Sequence, residues 1–263
     1  MAGHCTGIEP LLRLRIGLNL SRRTAVVGAV GSQFVYGERR RALDYFLDTF
    51  EEGLLFFYFG SVDQGSHVLY HYADTEHPLH EPDELLENGI RTLYEEMDEA
   101  LGRVLESVDE DTTLIVMSDH GFAPFYWGVN LNTWLYQHGL LAVTGDQPTG
   151  ADMFGDVDWS RTKAYAVGFG GIYLNLKGRE AGGIVDRADR DAVIAEIREA
   201  FLATVDPETG KKIGRDTFDL RKIHEGPYVD READMMLGFA ATFRVSWRTT
   251  LGGIKLAKGE DGV

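Results

Sequence analysis

Two short segments of the chain combine residue types that bind cations. In GLLFFYFGSVDQGSH (53–67) an apolar run ends near Asp63, with His67 four residues on. In TLIVMSDHGF (113–122) a second apolar run ends at Asp119 and His120. A carboxylate oxygen and an imidazole nitrogen are donors that suit Zn²⁺ or Mn²⁺. Brought together, the two pairs would make a metal site, and such a site suits hydrolysis. Each pair also has a plainer reading. Asp63 could cap a helix, leaving His67 exposed. Asp119 could hold its own loop by an Asx turn. A spacing of four places Asp63 and His67 on one face if a helical turn starts where the apolar run stops. Asp119 and His120 are adjacent, so sharing a metal requires the chain to turn there, which Gly121 permits.

The elements that must position these residues read as an α/β pattern. Apolar runs ended by Ser, Asp and Gly predict buried strands at 54–59 and at the LIVM segment 114–117. Ahead of the first, residues 34–52 predict an amphipathic helix with Leu43, Phe46, Leu47 and Phe50 on one face, ended by Gly53. From His67 to about residue 80 the chain reads as a polar, His-rich loop. Residues 87–107 predict a second helix, with Ile90, Leu93, Tyr94, Met97, Leu101, Val104 and Leu105 at three- and four-residue spacings. Strand, helix, strand is the βαβ order of a parallel sheet, and it would put both Asp/His tips on one sheet edge. Beyond it the sequence predicts a short helix in LNTWLYQHGLL and a Gly/Asp/Pro-rich linker near 144–158. Glycine-joined strands over 164–176 follow, then a helix over 187–204 with Val193, Ile194, Ile197 and Phe201 inward, and a strand over 234–239. No closing element, repeat or low-complexity tract is visible.

Composition narrows the classes. The chain has 263 residues, 44% hydrophobic and 26% charged, which is an ordinary globular profile. Its longest apolar run, LLFFYF, falls far short of the roughly 18 residues that cross a bilayer. A formal net charge of −16 argues against a general nucleic-acid binder. Arg13, Arg15, Arg22 and Arg23 interrupt any signal-peptide core. The single cysteine, Cys5, excludes an intrachain disulfide and suits a reducing compartment, so a cytoplasmic location is expected. Of the other histidines, His71, His77 and His80 read as solvated loop residues and His138 as a helix-end residue. His224 could be a late ligand, though nothing apolar positions it, and His4 precedes any recognised element. Arg179, Arg221, Lys222, Arg231 and Arg244 could each hold a phosphate, and the sequence picks none of them.

Taken together the motifs resemble the alkaline phosphatase superfamily, most closely its type I phosphodiesterase/nucleotide pyrophosphatase branch and bacterial phosphatase-like relatives. The likeness rests on LLFFYFGSVDQGSH, LYEEMDEALGRVL, LIVMSDHGFAPF followed by NLNTWL, GIYLNLKGRE and GPYVDREADMMLGF, and spans most of residues 40–250. It implies an alkaline phosphatase-like α/β fold: a mixed, mostly parallel sheet between helices, here incomplete. That would be one partial domain over 1–263, with 1–33 poorly assigned and 144–185 a loop or hairpin insertion. It implies two divalent metal ions, zinc or else manganese, with Asp63 and His67 on the first and Asp119 and His120 on the second. It implies a small-molecule phosphoester substrate, while the short apolar runs lead to no expected membrane span. The family's early Thr or Ser nucleophile has no recognisable counterpart; Thr24 and Ser32 lack its motif. Its late metal-binding His has none either. The chain is therefore expected to be truncated at both ends, its catalytic residue unknown. The alternative is a non-catalytic fragment or partner-dependent domain that keeps the fold. A sulfatase or phosphoglycerate mutase relative is the other option within the superfamily, and the lack of a C-x-P-x-R motif weakens the sulfatase reading.

Overall fold

The computed structural model describes residues 13–15 and 22–254. The chain divides into two compact units, one of residues 17–124 and one of residues 1–16 with 125–263. Each is described by itself.

The first unit is helical. It contains α1 (Arg22–Thr49), α2 (Ser61–Ala73), α3 (Glu84–Glu87) and α4 (Gly89–Ser107). Helix α1 begins well before the expected residue 34. Its first turns carry AVVGAV, and Ala25 is fully buried in a cluster with Leu69, Tyr72 and Leu86. That burial extends the helix through residues whose own propensity is modest. The Tyr36 hydroxyl donates to the Glu96 carbonyl at 2.8 Å, tying α1 to α4. Asp83 caps α3 by accepting from the Leu85 and Leu86 amides at 3.2 and 3.3 Å. Helices α2 and α4 approach closely at Gly65, where a Cβ would collide with Leu93.

Several expectations for this unit are corrected by the structure. Neither 54–59 nor 114–117 is a strand, and neither is buried. Leu54, Phe56 and Tyr58 are exposed, as are Ile115, Val116 and Met117. Among the described residues no ladder partner pairs with either segment, and a strand exists only through hydrogen bonds to a neighbour. The first segment still alternates with period two. Phe57 and Phe59 are half-buried, with Phe57 packed against Phe46 of α1 at 6.2 Å between ring centroids and Phe59 against Tyr36 at 6.1 Å. The expected polar loop from His67 to about residue 80 is instead helical as far as Ala73. His77 is buried, with Nδ1 accepting from the Leu79 amide at 3.1 Å, so it is not a solvated loop histidine.

The second unit holds two sheets. Its strands are β1 (Arg13–Arg15), β2 (Phe125–Val129), β3 (Ala164–Val167), β4 (Gly171–Leu174), β5 (Gly214–Asp219), β6 (Met235–Phe239) and β7 (Thr242–Val245); its helices are α5 (Leu131–Gln137), α6 (Arg190–Ala203) and α7 (Trp247–Thr250). In the sheet ordered β1-β2-β7, β2 runs parallel to β7 and antiparallel to β1. The sheet ordered β3-β4-β6-β5 is antiparallel. The α/β class is thus as expected, and the 164–176 strands, the short helix at 131 and the 187–204 helix all form. Val193, Ile194, Ile197 and Phe201 of α6 pack inward with Trp134, Leu174 and Leu237. Strands β5 and β7 and helix α7 were not visible in the sequence: GRDTFD and TFRV are too short and too polar to show a period.

A buried ionic knot ties the four-stranded sheet to α6. Asp234 is fully buried and accepts from the Leu174 amide at 2.9 Å, from Arg179 at 2.6 Å and from Arg190 at 3.4 Å. Arg190 also meets Asp219 at 2.6 Å. A buried carboxylate is tolerated only when partnered in this way.

Candidate metal centre

The two Asp/His pairs converge within the first unit. Asp63 and His67 lie one turn apart on α2, so their side chains share a face, with His67 Nε2 3.6 Å from Asp63 Oδ1. His120 Nε2 lies 4.0 Å from the same Asp63 oxygen and 3.5 Å from Asp119 Oδ2. The link between the segments is Phe122. Its ring packs edge-on against His67 at 4.9 Å between centroids, stacks on Tyr70 at 6.1 Å and leans on His120 at 5.9 Å. It pins the SDHGF turn to the face of α2 that carries Asp63 and His67. Sequence reasoning had not picked out Phe122; its only signal was an aromatic residue two positions past the second pair.

The turn itself differs from expectation. Gly121 does not adopt positive φ, so the reversal does not depend on glycine's extra freedom. It is held by Ser118, whose hydroxyl donates to the His120 carbonyl at 2.6 Å. Asp119 is 85% exposed and points at His120, with no Asx turn among the bonds of the described residues.

The His120 ring shows what the cluster can do. Its Nδ1 lies 3.0 Å from the Gly121 carbonyl, which can only accept, so a bond there places the proton on Nδ1. In a neutral ring Nε2 is then a lone pair facing the carboxylate oxygens of Asp63 and Asp119. A lone pair facing carboxylates is satisfied by a shared proton or by a cation, and an imidazole held at Nδ1 by a carbonyl is the usual arrangement of a metal-binding histidine. The donor chemistry therefore fits a divalent ion. The geometry is open: His67 and His120 are each 57% exposed and Asp63 41%. Among the described residues no three His, Cys, Asp or Glu side chains are already gathered at metal-binding geometry.

The remaining candidates fall elsewhere. His80 lies 4.0 Å from Glu87, and His138 Nδ1 bonds the Trp134 carbonyl at 2.8 Å at the end of α5. His224, considered as a late ligand, pairs with Glu232 at 2.6 Å in the second unit. His4, Cys5 and the chain's first residues lie outside the described residues.

An α/β chain whose Asp/His pairs meet beside a helix start carries oxygen and nitrogen donors of a kind used in hydrolytic sites. The comparison with protein families makes this specific. The chain belongs to the type I phosphodiesterase / nucleotide pyrophosphatase family, whose model matches residues 24–232. That family lies within the alkaline phosphatase superfamily, and its members are generally metal-dependent phosphoester hydrolases. No curated protein and no solved structure matches the chain. No helix among the described residues is long and apolar enough to cross a membrane.

Proposed function

We propose that this chain binds divalent metal at Asp63, His67, Asp119 and His120 and through it hydrolyses a small-molecule phosphoester. The observation that supports this reading best is the meeting of His67 Nε2 and His120 Nε2 at one oxygen of Asp63. By family likeness the site takes two ions, zinc or else manganese, with Asp63 and His67 toward one and Asp119 and His120 toward the other. Bound ions would neutralise the phosphoryl oxygens and lower the pKa of the attacking group. They would also offset the repulsion between an anionic substrate and a chain of net charge −16.

The protein's own contribution is positional. Helix α2 fixes the spacing of Asp63 and His67. Phe122 holds His120 against that helix, and the Gly121 carbonyl sets the His120 tautomer. No Ser or Thr beside the cluster is assigned as a nucleophile. Ser61 and Ser66 are buried in α2, away from solvent.

A second reading has its own support. The apolar faces at Leu54, Phe56 and Tyr58 and at 114–117 are exposed, which suits a domain that is completed by a partner before it turns over substrate. One experiment separates the two. Bis-p-nitrophenyl phosphate and p-nitrophenyl phosphate are incubated with the purified chain and added Zn²⁺ or Mn²⁺. The first reading expects hydrolysis above the metal-only rate, reduced more than about 100-fold by Asp63→Ala, since loss of a ligand should exceed the 10–100-fold cost of losing its support. Background rates from a folded, metal-loaded chain favour the partner-dependent reading.

A further inference from the structure

Five late cations could have held an anion, and the structure distinguishes them. Arg179 is committed to Asp234 and Glu180, at 2.6 and 2.7 Å. Arg221 lies 2.7 Å from Asp230, and Lys222 lies 3.4 Å from Asp219. Arg231 is an exposed side chain over the Tyr228 ring. Arg244 is different. It is half-buried, and among the described residues it makes no ion pair. Its one hydrogen bond runs from Nε to the Val245 carbonyl at 3.2 Å.

Aromatic rings take the place of a carboxylate. The guanidinium carbon sits 4.5 Å from the centroid of the Trp247 ring and 5.2 Å from that of Phe125. Phe169, at the tip of the β3–β4 hairpin, packs edge-on against Trp247 at 5.5 Å between centroids. Rings over a guanidinium cover its π faces and leave its in-plane N–H edge available. Burial lowers the Arg244 pKa, but a guanidinium stays charged throughout the accessible pH range. The frame is built, not incidental. Arg244 is in register with Gly128 on the parallel pair β2–β7. Trp247 opens α7, which is fixed from below by the Ser246 amide on the Val129 carbonyl at 2.8 Å and by Thr249 accepting from the Leu131 amide at 3.1 Å. Yet Trp247 and Phe169 remain 57% and 67% exposed, an apolar surface beside an unpaired cation.

We infer that Arg244, framed by Phe125 and Trp247 with Phe169 alongside, is a binding site for an oxyanion carried on a flat or apolar group, such as a nucleoside or aryl phosphate. The guanidinium edge matches two oxygens of a phosphoryl group in a fork, and the rings supply a surface for a base or aryl ring. The site lies wholly within the second unit, and the inference stands whether or not Asp63, His67, Asp119 and His120 bind metal.

The test is calorimetric titration of the full chain with 5′-AMP in excess EDTA, so that metal-held phosphate does not contribute. Wild type should bind 5′-AMP more tightly than inorganic phosphate, and adenosine weakly. Arg244→Gln should weaken 5′-AMP about tenfold or more. Arg244→Lys should recover only part of the loss, because an ammonium cannot fork two oxygens. Phe169→Ala alters only an exposed side chain; it should weaken 5′-AMP while leaving inorganic phosphate unchanged, and it reads the site even if the Arg244 variants fail to fold. Unchanged 5′-AMP affinity in a folded Arg244→Gln, adenosine binding as well as 5′-AMP, equal 5′-AMP affinity in Phe169→Ala, or no wild-type binding at millimolar 5′-AMP would each overturn the assignment.

Discussion

At the scale of single residues, charge in this protein is handled in two ways. Around Asp234 it is buried and paired, while Asp63, His67, Asp119 and His120 are open to water, with two imidazole nitrogens turned toward one carboxylate. The buried set carries a pH prediction. Hydrogen bonding from Arg190 outweighs burial and holds the Asp219 carboxyl below the usual carboxylate range. A depressed carboxylate contributes stability that is full above its unfolded value, about 3.9, and is lost as pH falls through the lower folded value. Thermal melts of wild type and Asp219→Asn between neutral pH and pH 2 should therefore converge as pH falls. A constant gap between them would contradict the assignment. The Asp63/His67 pair was legible in the sequence because a spacing of four survives as one face of α2. Phe122 was not, since nothing in a lone aromatic says which histidine it will meet. Arg244 was one of five equal candidates until carboxylates were placed beside Arg179, Arg221 and Lys222 and Arg231 was found exposed over Tyr228.

At the scale of elements, α4, α5 and α6 and the strands β3, β4 and β6 were legible, while α2, α7 and the other strands were not. A helix declares itself in its own period, so α4, α5 and α6 were visible, and only burial at Ala25 lengthened α1 beyond its pattern. A strand is made by its neighbour. LLFFYF and LIVM have the composition of buried strands, yet without ladder partners they stay irregular and exposed. GRDTFD, polar and unremarkable, is a strand because β6 pairs with it along Gly214–Asp219. Element packing also makes glycine substitutions diverge. At Gly183 a Cβ would overlap the Leu176 carbonyl and the Lys177 amide, which are backbone and cannot swing away. Gly183→Ala should cost about 1–3 kcal/mol. Gly102, inside α4 with open space around it, should gain about 0.5–1 kcal/mol as alanine. Urea unfolding of both variants checks this; a Gly183→Ala chain as stable as wild type would mean that the 176–185 turn is looser than described.

At the scale of the whole molecule, an acidic chain from a family of phosphoester hydrolases has to bring cations to an anionic substrate. Two places suit that need. One is the Asp/His cluster, proposed above to take cations from solution; the other is Arg244, a cation with no carboxylate partner among the described residues. The first was legible because metal chemistry requires particular donors at particular spacings. The second was not, because it depends on which charges fail to pair. The central claim is that both Asp/His pairs serve one metal centre. Metal content of the purified chain, by elemental analysis after equilibration with Zn²⁺ and desalting, tests it most directly. The account predicts bound zinc in wild type, lost in Asp119→Ala/His120→Ala and also in Asp63→Ala, because each pair needs the other. Equal zinc in wild type and all variants, or none in any of them, would contradict it.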